Sequence, residues 1–126
     1  MLQKSQEEPK KKEQRISDIH THVLPGLDDG SKSIGASVRM LRKSYQQGVR
    51  NVIATPHYTV YHWRTKPEQI QRLMEQMAKA VQKVMPELRL YSGQEIQYFE
   101  GMADMLQRGE LLTLAGSHYV LVEFLP

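Results

Sequence analysis

From Ile16 to Val23 apolar and polar residues take turns, the period of a β-strand with two unlike faces. The segment Leu24–Ser31 (Leu-Pro-Gly-Leu-Asp-Asp-Gly-Ser) is dense in turn formers and is expected to be a loop. Ile34, Val38, Leu41 and Tyr45 then recur at helical spacing, which predicts a helix from about Ser33 to Gln47, with Gly48 as its stop. Asn51–Ala54 is a short apolar strand broken by Thr55-Pro56. Thr65-Lys-Pro-Glu68 resembles a capping box with Pro in the first turn. The helix it opens carries Ile70, Leu73, Met74, Met77, Val81 and Val84 on one stripe and ends at Pro86. The methionines there are expected to fill the core. Leu88–Ser92 predicts a third strand, Met102–Arg108 a short helix, Leu112–Leu114 with the following Ala-Gly-Ser turn a small hairpin, and Tyr119–Phe124 a fourth strand.

Strands alternating with helices in this way indicate an α/β protein with about four parallel strands. Right-handed crossovers place the carboxyl ends of those strands on one rim. At 126 residues the length suits one domain. The absence of cysteine excludes disulfides, thiolate-bound zinc, iron–sulfur clusters and a thiolate nucleophile.

Net charge is +3, but residues 1–16 carry +2 of it and the remaining chain only +1. Residues 1–15 are accordingly expected to be a disordered polar leader, with residues 16–126 forming the folded part. The body has no basic stripe with interleaved aromatics, so nucleic acid is not an expected partner. Mean hydropathy is −0.55. The opening residues lack the apolar core of a secretory signal, and no apolar run reaches the roughly 18 residues needed to span a bilayer. A soluble, cytoplasmic protein is expected.

The chemistry gathers at the rim. The first strand brings Asp18, His20 and His22, the second His57, the third Glu95 and the fourth Glu123. This edge is where catalytic residues converge in parallel α/β folds. His20 and His22, two apart on a strand, face the same side and form a clamp for a divalent ion. Asp28 and Asp29 have turn-forming roles as well, and the nearness of the histidine pair favours Asp28 as a ligand. Gly93 before Glu95 suits a close approach of backbone to an ion. Glu123 lies in the apolar run Val-Leu-Val-Glu-Phe-Leu, where a carboxylate is costly unless paired or metal-bound. His62 and His118 fall off the pattern and are expected to be structural or surface residues. Donors that are only nitrogen and oxygen suit Mn²⁺, Fe²⁺ or Zn²⁺. Several carboxylates and imidazoles together point to more than one ion, the arrangement used for phosphoester hydrolysis.

Four blocks carry a resemblance: Asp18–Ser31, Ala54–Tyr58, Gly93–Ile96 and Tyr119–Pro126. In order and spacing they resemble the bacterial tyrosine-protein phosphatases of capsular polysaccharide loci, in the PHP (polymerase and histidinol phosphatase) superfamily. The resemblance spans about Ile16 to Pro126. It implies the first half of a distorted (β/α)7 barrel with a trinuclear, usually manganese, centre. The implied reaction is phosphomonoester hydrolysis on phosphotyrosines of a bacterial tyrosine autokinase, in capsule and exopolysaccharide regulation. It further implies His20, His22 and Glu95 as ligands of one metal and Asp28 and His57 as ligands of a second. Glu95, bridging, and Glu123 would hold a third, with Asp18 orienting His20 from behind. Family members are roughly twice as long, and their later strands supply a further His, an Asp-x-His pair and phosphate-gripping arginines. The implied sites are therefore short of ligands here. An inactive metal-binding remnant and a phosphoesterase acting on a small phosphate ester stand as alternatives. The edge of the fourth strand is expected to pair with a second copy or a complementary half.

Overall fold

The computed structural model describes residues 15–126, so all of the expected leader but Arg15 lies outside the described residues. Six parallel-paired strand segments alternate with three helices. They are β1 (Ile16–Thr21), α1 (Ile34–Gln46), β2 (Val49–Ala54), β3 (His57–Tyr58), α2 (Pro67–Val84), β4 (Arg89–Ser92), β5 (Glu95–Gln97), α3 (Met102–Gln107) and β6 (Leu121–Glu123). The strands form two three-stranded sheets, ordered β1-β2-β4 and β3-β5-β6. Every ladder within them is parallel.

The expected four strands are present as four paths, two of which are interrupted. Pro56 has no N–H to donate and ends β2; the path resumes as β3 at His57. Gly93-Gln94 interrupts the next path between β4 and β5. The gap at Gly93 is a packing device. A Cβ there would stand 3.0 Å from Leu114 Cδ2 and 3.1 Å from Ile53 Cγ2. The glycine therefore admits two apolar side chains.

The main core lies between α1, α2 and the first sheet. Leu41 of α1 and Ile70, Met74, Met77 and Val81 of α2 meet Val49, Val52 and Ala54 of β2. The methionines are core residues as expected, whereas Val84, expected on the same stripe, is exposed. A smaller cluster of Tyr58, Ile96 and Leu111, flanked by Phe99, Met102 and Met105, supports the second sheet.

Local chemistry explains the ends of the elements. The Ser33 hydroxyl caps α1 by accepting from the Ala36 amide at 3.0 Å. Gly48, at φ +102°, turns the chain out of the helix. The cap of α2 differs from expectation. Lys66 is its N-cap, and the Gln69 side chain accepts from the Lys66 amide at 2.9 Å. Thr65 is occupied elsewhere: its hydroxyl donates to the His57 carbonyl at 3.2 Å. The hairpin expected at Leu112–Leu114 is a single 3-10 turn over Leu114–Gly116. Ala115 and Gly116 take positive φ there, so the chain reverses without a strand to pair. Among the described residues, no helix is long and apolar enough to cross a membrane.

Candidate metal centre

The site forms where the first sheet ends and the second begins. β1 delivers His20, with His22 just beyond it. His57 and Glu95 open β3 and β5 and lie opposite each other in register. Glu123 closes β6, opposite Gln97 and so two positions along the ladder from Glu95. The interruptions at Pro56 and Gly93-Gln94 thus fall just before the two residues nearest the middle of the cluster.

Glu95 is the hub. One of its oxygens, Oε1, lies 3.0 Å from His20 Nε2, 3.0 Å from His22 Nε2 and 3.4 Å from His57 Nδ1. The residue is 8% exposed, not the exposed loop carboxylate that its surroundings in sequence also allow. Glu123 Oε2 lies 3.9 Å from the same His57 Nδ1. The Glu123 side chain is 40% exposed, so the apolar run around it does not bury it as the sequence suggests. Its neighbours Phe124 and Leu125 are themselves exposed.

The loop after β1 brings the remaining carboxylates. Asp28 Oδ2 sits 3.1 Å from His22 Nδ1 and accepts from the His57 backbone amide at 2.9 Å, while Oδ1 accepts from the Gly30 amide at 2.9 Å. Asp29 Oδ1 lies 3.6 Å from His57 Nε2. Serines hold this loop against α1. The Ser31 and Ser37 hydroxyls meet at 2.6 Å, and the Ser37 hydroxyl also donates to the Val23 carbonyl. The Ser31 amide donates to the His22 carbonyl at 3.1 Å, closing the loop at its base. Gly30 fits beneath it because any Cβ there would come within 3 Å of the His22 carbonyl oxygen and Cβ.

All six candidate residues therefore converge, and Asp29 joins them. They fall into three overlapping groups: His22, Asp28, Asp29 and His57; His20, His22 and Glu95; and His57, Glu95 and Glu123. Within each group the donor atoms lie within 4.8 Å of one another. Two ligands of one ion at right angles, each about 2.1 Å from it, stand about 3.0 Å apart. The shortest separations here match that spacing. The donors are imidazole nitrogen and carboxylate oxygen alone, and four carboxylates on three imidazoles leave negative charge that divalent cations offset. The residues fit a metal centre of more than one ion.

Asp18 stands apart from the expected role. Its carboxylate accepts from the His20 backbone amide at 3.1 Å, so it braces the strand and not the imidazole. His62 and His118 lie outside the three groups.

The match to known proteins decides the family. A family model described as "Capsular polysaccharide synthesis, CpsB/CapC" matches residues 16–126, a stretch that contains every residue of the cluster. The chain belongs to the CpsB/CapC family. Tyrosine-protein phosphatase YwqE of Bacillus subtilis is 35% identical over 107 residues, which cover 85% of this chain and 42% of that protein. Tyrosine-protein phosphatase CpsB of Streptococcus pneumoniae is 36% identical, with 85% of this chain and 44% of that protein covered. A solved structure from work on YwqE and CpsB as "unique metal-dependent tyrosine phosphatases" superposes with a TM-score of 0.82 at 34% identity. The superposition covers 87% of this chain and 44% of that one. This CpsB/CapC chain thus spans less than half the length of the curated relatives it matches.

Three contributors to the CpsB/CapC cluster were not singled out in the sequence. Gly30 is one, its signal being the Asp-Asp-Gly turn itself. Gln94, fully buried behind Glu95, is another: its amide nitrogen donates to the Thr65 carbonyl at 3.1 Å and hydroxyl at 3.2 Å, and its oxygen accepts from the Leu112 amide at 2.7 Å. Trp63 is the third. Its ring stacks on His57, and it is the only tryptophan of the chain.

Proposed function

We propose that this chain carries the metal-ligating, N-terminal portion of a metal-dependent protein-tyrosine phosphatase that hydrolyses phosphomonoesters. The observation that carries this reading is the meeting of three imidazoles on one buried carboxylate oxygen, Glu95 Oε1. His20, His22 and Glu95 would hold one ion, Asp28 with His22 or His57 a second, and Glu95 with His57 and Glu123 a third. Mn²⁺ is the proposed metal, with Fe²⁺ and Zn²⁺ as chemically suitable substitutes. Such ions offset the charge of a phosphate and acidify bound water. Asp28 holds its place against two backbone amides, and Glu95 is shielded from bulk water by burial. His20, with a side chain 48% accessible, is the most exposed imidazole of the cluster and would be open to a substrate.

The names of the relatives point to phosphotyrosine as the substrate group. A bacterial tyrosine autokinase of a capsule or exopolysaccharide locus, in the cytoplasm, is the proposed source. The test is hydrolysis of a phosphotyrosine peptide with added Mn²⁺, alongside histidinol phosphate and sugar phosphates. Turnover that falls with chelator and with His57→Ala supports the proposal. Preference for a small ester moves the chain to that alternative, and metal binding without turnover makes it a binding remnant.

A second observation bears on how the chain works. β6 pairs only with β5, and β1 only with β2, among the described residues. Apolar side chains flank these two of the four sheet edges: Ile16 and Ile19 on β1, and Tyr119, Phe124 and Leu125 around β6. Open, apolar strand edges recruit another strand. The β6 edge is proposed to pair with a second copy of this chain.

A further inference from the structure

A ligating imidazole is ordinarily held in plane by a carbonyl or carboxylate on its second nitrogen. Neither ring nitrogen of His57 is held by a close hydrogen bond of that kind. Its Nδ1 stands 3.4 Å from Glu95 and 3.9 Å from Glu123, its Nε2 stands 3.6 Å from Asp29, and one of the two is its ligand atom in the candidate metal groups. Something else must set the plane of its ring.

The rings around it supply that restraint. His57 stacks on His22 with centroids 4.3 Å apart and planes 18° apart, and on Trp63 at 5.1 Å and 23°. His57 cannot turn about χ2 without losing both contacts. Trp63 is itself fixed by its backbone. Its amide donates to the Thr59 hydroxyl at 3.0 Å, and its carbonyl accepts from the Thr59 amide at 2.8 Å. The His62 amide shares the same Thr59 hydroxyl at 3.0 Å, and the His62 ring lies 4.5 Å from the indole. A turn closed on Thr59 therefore presents a rigid aromatic plane to His57. Stacked rings at these separations attract one another and resist tilting.

We propose that Trp63 is a positioning residue for the metal centre, holding the His57 imidazole in the plane that aims its ligating nitrogen at the ion. This rests on the reading of His57 as a ligand. The experiment measures Mn²⁺ binding to the full chain by calorimetry, for wild type and for Trp63→Phe, Trp63→Leu and Trp63→Ala. Circular dichroism of each variant checks folding. The His57 ring resonances in metal-free protein provide a readout that needs no activity.

Removing the ring is expected to weaken Mn²⁺ binding about tenfold, the scale of lost support to a ligand. Trp63→Leu, which fills space without a flat face, should behave like Trp63→Ala. Trp63→Phe should return affinity to within about threefold of wild type, with His57 resonances closer to it than in Trp63→Leu. Affinity in Trp63→Leu equal to wild type would overturn the positioning role and leave the metal centre standing. So would a Trp63→Phe variant no better than Trp63→Leu. Absence of Mn²⁺ and Zn²⁺ uptake by wild type would overturn the metal centre itself and this role with it.

Discussion

Asp28 and His57, twenty-nine residues apart, are joined by a hydrogen bond in which the carboxylate accepts from the backbone amide at 2.9 Å. The loop after β1 is thereby fixed to the start of β3, and two proposed ligands hold each other in place. Asp28→Ala strands the His57 amide at a part-buried position and is expected to cost about 1–3 kcal/mol. Asp28→Asn keeps an oxygen acceptor and should lose less stability while still weakening Mn²⁺ binding. Urea unfolding of both variants checks the first expectation, and calorimetry the second. Equal destabilisation by both would show that the hydrogen bond is not what matters.

Gly30→Ala should damage the site more than its small size suggests. The added methyl group would come within 3 Å of His22 backbone and side-chain atoms and stand 3.0 Å from Asp28 Oδ1. Overpacking of this kind costs about 1–3 kcal/mol. A drop in melting temperature together with weakened metal binding is the expected result. A variant with wild-type values in both would mean that the loop yields easily.

Divalent metal should raise the unfolding temperature. A ligand that binds only the folded state stabilises it by RT ln(1 + [L]/Kd), about 2.7 kcal/mol at a hundredfold excess over Kd. Thermal unfolding with and without Mn²⁺, then with chelator, measures this. His20→Ala with His22→Ala removes two of the three ligands of one proposed ion and should reduce the increment. An increment unchanged by the double substitution would count against an ion at His20, His22 and Glu95.

Gln94 serves the site from behind. Its carboxamide spans the Thr65 segment and the Leu112 amide with three hydrogen bonds while its neighbour Glu95 faces the histidines. Gln94→Leu leaves those buried partners unmatched and is expected to cost about 1–3 kcal/mol for each group left without a bond. Denaturant unfolding of the metal-free chain measures the loss. Stability equal to wild type would show that water replaces the side chain.

Association through the open β6 edge predicts a dimer. Size-exclusion chromatography with light scattering should give twice the 14.6 kDa chain mass at high concentration. Val122→Pro should shift the protein to monomer, because the Val122 amide faces away from β5 and proline cannot donate to a ladder. A wild-type chain that stays monomeric at high concentration contradicts the proposal.

Strand alternation made much of the centre legible in the sequence. His20 and His22 share a face because they are two apart, and His57 and Glu95 follow strands whose order is set by crossovers. Periodicity says little about a residue just past a break, so the short strands after Pro56 and Gln94 were not visible as strands. Asp29 and Trp63 sit in irregular segments whose side-chain directions depend on hydrogen bonds made by Gly30 and Thr59. Thr65 looked like a cap because its spacing to Glu68 was right. The His57 carbonyl and Gln94, which claim it, are distant in sequence. Ala115 was unreadable for a different reason: alanine seldom adopts the left-handed conformation it has there.

The division of the strands into two sheets has a mechanical consequence. His20 belongs to the first sheet and His22 directly follows its β1, whereas His57, Glu95 and Glu123 ride on the second. Every candidate group mixes residues from the two sides of that seam, apart from the trio of His57, Glu95 and Glu123. An ion held by His20, His22 and Glu95 would act as a rivet through the seam. Occupancy would then govern how stiffly one half of the molecule is clasped to the other.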